Sequence, residues 1–235
     1  MPRLSRVAAD DWSRANPQAD ISPVSDLDHI TFSGAPAGPV ELVMDGEHLR
    51  RVIYDGILKA RVSVDIATAD LKAVLVPDPG KTPSRRSTPP SILEHLCRIA
   101  QRGVEVRVLH AGVPSGPAIQ ELKRLQKKHG GLPPTLVLRR CPRLHAKAVI
   151  LDADRMYLGS ANLTGAGLGA KADHNRNHEL GVWTTSPDLI DAVSQYFNHL
   201  WEGGACEGCG RRDVCPVPLE EPKLLSLPTR HKKSA

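Results

Sequence analysis

The sequence predicts an α/β fold with a mixed β-sheet flanked by helices. Segments with helical apolar periodicity alternate with strand-like segments in the first half of the chain. In the second half, four strand-like segments follow one another before a last helix. The chain has 235 residues, 40% of them hydrophobic, which is enough to bury a core without disulfides.

The first predicted elements are a helix and a strand that follow a polar N-terminal segment. Residues 1–45 are rich in Pro, Ser, Asp and Gly and lack periodicity, so we expect an irregular extension there or, alternatively, an arm that packs on a partner subunit. From Gly46 onward, apolar residues recur at helical spacing, and residues 61–69, RVSVDIATA, then alternate like a half-buried strand.

Two further helices are predicted from their capping residues. Residues 77–90 contain five prolines and three basic residues, which indicates an exposed loop or, alternatively, a loop that contacts phosphate. Ser91 and Glu94 then form a capping box for a helix that ends at Gly103, and the strand VEVRVL follows. Ser115 begins the next helix, which closes at Gly130-Gly131. Its basic residues indicate a solvated face or a nucleic-acid contact: Lys123, Arg124, Lys127 and Lys128.

The second half predicts four strands, TLVLR, HAKAVIL, RMYLGS and NHELGVW, and a last helix that begins at Ser186-Pro187. That helix carries one apolar stripe: Leu189, Ile190, Val193, Phe197 and Leu200.

The segment LHAKAVILDADRMYLGSANLTG, residues 144–165, contains a candidate site for phosphate chemistry. His145 and Lys147 are two residues apart on a predicted strand, so they share one face and can meet the same ligand. Asp152 lies in the turn that follows. Ser160 and Asn162 come at the end of the next strand, where a hydroxyl and a side-chain amide can donate hydrogen bonds to phosphate oxygens.

This spacing, His-x-Lys-x4-Asp-x6-Gly-Ser-x-Asn, resembles the HKD signature of the phospholipase D superfamily. Asn177-His178-Glu179 is similar to the Asn-x-Glu strand of that superfamily. The resemblance covers residues 46–200 and implies one HKD unit per chain, with a catalytic domain over residues 46–202 and a separate tail over 203–235.

The resemblance also implies a mechanism. His145 would attack phosphorus to form a phosphohistidine, while Lys147, Asn162 and Ser160 hold the nonbridging oxygens. Glu179 would accept a hydrogen bond from the other imidazole nitrogen of His145, and Asp152 would brace the hairpin.

No metal is required for this chemistry, but a second histidine is needed to protonate the leaving oxygen. Because the sequence contains one HKD motif, the resemblance implies a homodimer in which two His145 residues share one site.

The five cysteines argue against a disulfide framework, because their number is odd and no secretory signal is expected at the start of the sequence. Cys206-x2-Cys209-x5-Cys215 has the close spacing of metal ligands, the alternative being small buried residues. It is similar to the iron–sulfur staple of certain helicase-associated and CRISPR-associated nucleases. Cys141 is the predicted fourth ligand and Cys97 a core residue. We expect a structural [4Fe–4S] cluster, with Zn²⁺ as the alternative.

Charge and composition favour a nucleic-acid partner. The net charge is +5 and the pI about 9.0, but aromatic residues make up only 3% of the chain, too few for a series of base-stacking contacts. No segment approaches the about 20 apolar residues of a membrane span, so we expect a cytoplasmic protein without a membrane partner.

The leading hypothesis is a DNA or RNA nuclease. The alternatives are a phospholipase or other phosphodiesterase, and a non-catalytic nucleic-acid-binding subunit with a helicase or defence-system partner.

Overall fold

A computed structural model of the chain describes residues 38–80 and 88–215. These residues form a sheet of seven strands: β1 Val40–Met44, β2 Ser63–Thr68, β3 Glu105–His110, β4 Leu136–Arg140, β5 Ala148–Leu151, β6 Arg155–Gly159 and β7 Leu180–Thr184. They also form three α-helices: α1 Ile92–Gln101, α2 Gly116–His129 and α3 Pro187–Trp201. Most of the predicted extension, the basic centre of the predicted loop 77–90 and the last 20 residues of the tail lie outside the described residues.

The sheet has the order β1-β7-β6-β5-β2-β3-β4. Strands β2, β3 and β4 are parallel, because α1 and α2 each provide a crossover between them. The remaining neighbours are antiparallel. The predicted mixed sheet flanked by helices is confirmed.

The prediction of an irregular segment up to residue 45 is wrong at its end. Val40–Met44 forms β1, which pairs with β7 in antiparallel register. Only Val43 of this strand is buried, and its exposed face carries apolar side chains, so the sequence lacks the alternation that marks a half-buried strand.

The first predicted helix is shorter and less regular than its apolar spacing suggests. Leu49–Tyr54 forms a π-helical turn and Ile57–Lys59 a 3-10 turn, with Gly56 between them. A Cβ atom at Gly56 would lie 2.4 Å from the carbonyl oxygen of Val52, so the chain passes too close to itself there for any other residue. The apolar face of the segment is nevertheless buried.

The predicted starts of α1 and α2 are confirmed by side-chain caps. The Ser91 hydroxyl accepts a hydrogen bond from the backbone N–H of Glu94 at 3.1 Å, and Ser115 caps α2 in the same way. Two of the predicted surface cations, Arg124 and Lys128, bind the Glu94 carboxylate and so fasten α2 to α1. For these two residues the predicted solvated face is therefore corrected to an interhelical contact.

The two faces of the sheet carry separate apolar clusters, because successive strand residues point to opposite faces. One cluster joins the sheet to α1 and α2, and the other joins it to α3 through Ile190, Phe197 and Leu200. The predicted apolar stripe of α3 is confirmed.

The residues that matter for function lie along one boundary of the sheet, which is formed by the ends of strands and not by an outermost strand. Strands β2 and β6 end at this edge, whereas β5 and β7 begin there, since they run antiparallel to their neighbours. We call it the site edge, and define it by Thr68, Lys147, Gly159 and Leu180.

Candidate active site

His145 and Lys147 lie together at the site edge, although they precede β5 rather than belonging to it as predicted. The Lys147 carbonyl oxygen accepts a hydrogen bond from Gly159 N–H at 3.0 Å, which holds the segment against β6. The Lys147 Nζ atom lies 3.0 Å from His145 Nδ1 and 2.6 Å from the His145 carbonyl oxygen. The two side chains can therefore meet one ligand, as the spacing predicts.

Within the described part of the chain, the charge of Lys147 is buried without a counter-ion. Its residue is 8% exposed, whereas His145 beside it is exposed. Among the residues that the structure describes, no carboxylate lies within 4.0 Å of the Lys147 ammonium. A buried cation is costly unless it is paired. An anion bound at His145 would supply that pair.

The side-chain amide of Asn162 is held by its oxygen. Asn162 Oδ1 accepts hydrogen bonds from the backbone N–H groups of Ala69 at 3.0 Å and Asp70 at 3.1 Å. The Thr68 hydroxyl donates to the Asp70 carbonyl oxygen at 2.9 Å, lies 3.3 Å from Asn162 Oδ1, and accepts a hydrogen bond from Leu163 N–H at 3.0 Å. Because the oxygen faces this backbone, the NH2 group of the amide points away from it and can donate to a ligand.

The sequence analysis missed these supporting residues. Their signal was the change from apolar alternation to Thr68-Ala69-Asp70 at the end of the strand RVSVDIATA.

Ser160 and Glu179 form a direct hydrogen bond across β6 and β7. The Ser160 hydroxyl donates to the Glu179 carboxylate and accepts from the backbone N–H of Leu180 at 3.0 Å. Asn177 Nδ2 donates to the same carboxylate at 3.0 Å. The structure thus directs Glu179 to Ser160 and Asn177, whereas the resemblance implied a bond to His145.

Asp45, which the sequence analysis did not single out, supports Glu179 from the end of β1. Its carboxylate accepts a hydrogen bond from the Glu179 backbone N–H at 2.9 Å, and this bond lowers the pKa of Asp45. Strand β1, which the sequence did not predict, therefore helps to position the candidate site.

Tyr157 explains why glycine stands before Ser160. A Cβ atom at Gly159 would lie 2.4 Å from the Tyr157 hydroxyl oxygen and 2.6 Å from Gly181 Cα. That hydroxyl accepts a hydrogen bond from Ala161 N–H at 3.1 Å, and burial raises the pKa of Tyr157 to about 12. The buried tyrosine thus supports the turn that presents Ser160 and Asn162.

Asp152 lies at the opposite edge of the sheet from His145. Its carboxylate accepts hydrogen bonds from the backbone N–H groups of Arg61, Val62 and Ser63 at 2.8–3.2 Å, and it pairs with Arg155 at 2.8 Å. Burial alone would raise the pKa of Asp152, but the backbone bonds lower it. These contacts brace the start of β2 against the β5–β6 hairpin and leave Asp152 away from any ligand of His145.

His110 ends β3 beside Thr68, but it is 3% exposed and its Nδ1 lies 2.8 Å from the Gly112 carbonyl oxygen. Burial lowers its pKa. It is therefore a buried structural histidine rather than an accessible proton donor for a substrate.

Of the five cysteines, Cys97 lies in the core as predicted. Cys97 is buried in α1, whereas Cys141, Cys206, Cys209 and Cys215 are half-buried and free. Burial raises the pKa of Cys141, and the nearby Cys209 and Cys215 raise it further. Within residues 38–80 and 88–215, however, no three or more His, Cys, Asp or Glu side chains are arranged to hold a metal ion.

Residues 53–201, well over half of the chain, match the family described as "Cardiolipin synthase, PLD-like domain". The chain belongs to the phospholipase D superfamily. The match includes the HKD residues and the Asn177–Glu179 segment, and it supports phosphodiesterase chemistry. No curated protein matches the chain significantly in sequence.

Solved structures of this superfamily share the fold. Nuc from Salmonella typhimurium, a phospholipase D family member, is 19% identical with a TM-score of 0.51, covering 70% of this chain and 95% of its own. NucT from Helicobacter pylori is 18% identical with a TM-score of 0.50, covering 70% of this chain and 96% of its own. At these identities the likeness concerns the fold alone.

The helices of the described ranges are too short or too polar to span a bilayer.

Proposed function

We propose that this phospholipase D superfamily member is a nuclease that cleaves a phosphodiester bond of DNA or RNA through a phosphohistidine at His145. The observation that carries the proposal is Lys147. Its buried ammonium contacts the ring and carbonyl oxygen of His145 at a sheet edge that also presents Ser160 and Asn162. This arrangement suits a phosphate group, which brings the missing negative charge.

The reaction would proceed in two displacements. An imidazole nitrogen of His145 attacks phosphorus, the P–O bond to the leaving group breaks, and a second histidine donates a proton to the leaving oxygen. That second histidine then takes a proton from water, whose oxygen attacks phosphorus and releases His145. No metal ion enters either step.

The other polar groups would stabilise the transition state. Lys147 and the NH2 group of Asn162 hold the nonbridging oxygens, whose negative charge they offset. Glu179 positions the Ser160 hydroxyl, which donates a hydrogen bond to its carboxylate.

The second histidine would come from a second copy of the chain, so that two His145 residues face each other across a two-fold axis. An exposed apolar patch beside the candidate site supports this arrangement. It consists of Val40, Leu42 and Met44 of β1 and Leu180 of β7, which are 46–63% exposed. Met44 pairs with Leu180, and because the strands are antiparallel, Asp45 after Met44 and Glu179 before Leu180 lie side by side. A copy docked on the patch therefore lies next to the site.

Nucleic acid is favoured over lipid by charge. The net charge is +5, and exposed Lys72 and Arg143 lie two residues from Asp70 and His145 respectively. A lipid phosphodiesterase is the second candidate, because the matched family is described by a lipid enzyme, cardiolipin synthase. A non-catalytic subunit of a helicase or defence complex, and a cytoplasmic location, remain predictions.

The test is a comparison of substrates in excess EDTA. End-labelled single- and double-stranded DNA and RNA are incubated with the full chain, in parallel with phosphatidylcholine and phosphatidylglycerol micelles. We expect cleavage of at least one nucleic acid and no lipid product. His145→Ala should lose cleavage. His129→Ala, at the exposed end of α2, is the matched control for it and should cleave normally. Lipid turnover alone, or no turnover by a folded protein, would contradict the proposal.

A further inference from the structure

The segment that follows α3 is a chain of turns that repeats every three residues. Cys206 N–H donates to the Gly203 carbonyl oxygen at 2.8 Å, and Cys209 N–H to that of Cys206 at 3.2 Å. Arg212 N–H then donates to the Cys209 carbonyl oxygen at 3.0 Å, and Cys215 N–H to that of Arg212 at 3.1 Å. Each such turn brings the two residues that it joins to within about 7 Å of each other. The turns therefore keep the three cysteines of the segment near one another along the chain.

The segment lies beside the loop that leads from β4 to His145. Arg143 Nη1 lies 3.8 Å from Cys209 Sγ, and both Cys209 and Cys215 lie within electrostatic range of Cys141. Cys141 and Cys206 pack against the same apolar cluster, the one that contains Phe197. Cysteines from two distant parts of the sequence thus lie in one region of the fold, although their sulfur atoms do not form a closed set of ligands.

The turn segment makes few apolar contacts. Of residues 203–213, only Ala205 and Cys206 pack against an apolar cluster, and the remainder are glycines, charged residues and Cys209. Regular turns in a segment with so few apolar contacts are typical of small metal-bound units, in which the binding free energy of the metal stabilises the fold.

We infer that Cys141, Cys206, Cys209 and Cys215 are the four thiolate ligands of a structural metal centre. The centre takes either one Zn²⁺ ion or an iron–sulfur cluster, both of which are bound by four cysteines. As the sulfur atoms stand in the described residues, no three of them are arranged to hold an ion. Binding therefore requires them to move inward, which a segment made of turns permits.

The centre would join the tail to the catalytic segment. Cys141 lies four residues before His145, and the intervening turn is closed by a hydrogen bond from Leu144 N–H to the Cys141 carbonyl oxygen at 3.0 Å. A metal at Cys141 would fix this turn, and with it the start of the segment that carries His145. The inference concerns a site apart from the nuclease chemistry, so it stands or falls independently of the proposed function.

The test is the metal content of the full chain purified without oxygen. Elemental analysis should find either about one zinc or about four irons with equivalent sulfide per chain, and visible absorption distinguishes the cluster from zinc. Cys141→Ala and Cys209→Ala should each lose most of this metal. Cys97→Ala is the matched control, because Cys97 is buried in α1 away from the other four, and it should keep the metal.

Circular dichroism of each variant separates loss of the site from loss of the fold. Metal-free wild-type protein, or full metal in folded Cys209→Ala, overturns the inference. Full metal in Cys141→Ala alone overturns the assignment of the fourth ligand, and equal loss in Cys97→Ala shows that the loss is not specific to the four cysteines.

Discussion

Asn162 shows at the scale of single residues how a weak donor is made into a defined binding group. Its side-chain oxygen accepts hydrogen bonds from two backbone N–H groups, those of Ala69 and Asp70, so the amide has one orientation. A donor whose direction is fixed before the substrate binds loses little on reorganisation in the transition state. The Thr68 hydroxyl donates to the Asp70 carbonyl oxygen and accepts from Leu163 N–H, so it joins the two segments that hold Asn162. Thr68 is therefore a positioning residue, which acts through Asn162.

Replacing Thr68 by valine should lower kcat on a cleavable nucleic acid by about 10-fold to 100-fold, with a smaller change in KM, because the oriented amide matters most in the transition state. Thr68→Ser keeps the hydroxyl and should restore most of the rate. Steady-state kinetics of both variants distinguish a positioning role of Thr68 from a packing role. Equal losses in valine and serine variants would show that Thr68 matters only for packing.

At the scale of secondary structure, β6 and β7 approach so closely that glycine is required twice. A Cβ atom at Gly159 or at Gly181 would lie 2.4 Å from Tyr157, a side chain that is 2% exposed and cannot move aside. The glycine of the HKD signature is thus explained here by packing, whereas Ser160 and Asn162 after it are explained by hydrogen bonding.

Gly159→Ala should lower the free energy of unfolding by about 1–3 kcal/mol, since the added methyl group overpacks the β6–β7 contact. Gly116→Ala is the matched control, because nothing lies within 4 Å of a Cβ atom there and α2 begins at that residue. Urea denaturation of both variants provides the comparison. If Gly159→Ala unfolds at the wild-type midpoint, the close approach of β6 and β7 is incorrect.

The hairpin between β5 and β6 depends on the ionised form of Asp152. Because its pKa is lower in the folded chain than in the unfolded one, its contribution to stability is present above the unfolded value of about 3.9. That contribution is lost as the pH falls through the folded value. We expect Asp152→Asn to be less stable than wild type at pH 7 by about 1–2 kcal/mol. Thermal melts from pH 7 down to pH 3 should show the difference shrinking, and a constant difference would contradict this role.

The elements that the sequence predicted well are those with local signals. The caps at Ser91 and Ser115 and the apolar stripe of α3 are encoded within a few neighbouring residues. Strand β1 was missed because its apolar side chains are mostly exposed, so its sequence lacks the alternation of polar and apolar residues that marks a half-buried strand. The π-helical turn was missed because Gly56 contacts the Val52 carbonyl oxygen only in the folded chain. The same limit applies to Asp45 and Thr68, whose contacts with site residues span 134 and 94 positions.

At the scale of the whole molecule, the candidate site lies at the site edge of the sheet, next to the end of the outermost strand β1. Three of the five residues of β1 are apolar and exposed, and with Leu180 they form the apolar patch described above. Isolated apolar residues on a surface are ordinary, but a contiguous patch beside a polar site is typical of an interface. We expect a second copy of the chain to cover it.

Leu42→Glu, in the apolar patch, should shift the dimer toward monomer, because a charge on the interface face must be desolvated to pair. Sedimentation velocity measures the shift, and cleavage should fall with the dimer fraction. Val62→Glu is the matched control: Val62 is 67% exposed at the opposite edge of the sheet and should leave the dimer intact. A monomeric wild-type protein that cleaves nucleic acid would contradict the shared site.

The central claim, that two His145 residues act in one site, is tested most directly by single-turnover cleavage in excess EDTA. The samples are wild type, His145→Ala, and an equal mixture of the two after subunit exchange. We expect wild type to cleave, His145→Ala to be slower by about 1,000-fold or more, and the mixture to keep about one quarter of the wild-type rate at equal total protein, because only dimers with two histidines are active. A mixture that keeps half of the rate, or a His145→Ala variant that cleaves like wild type, would contradict the account.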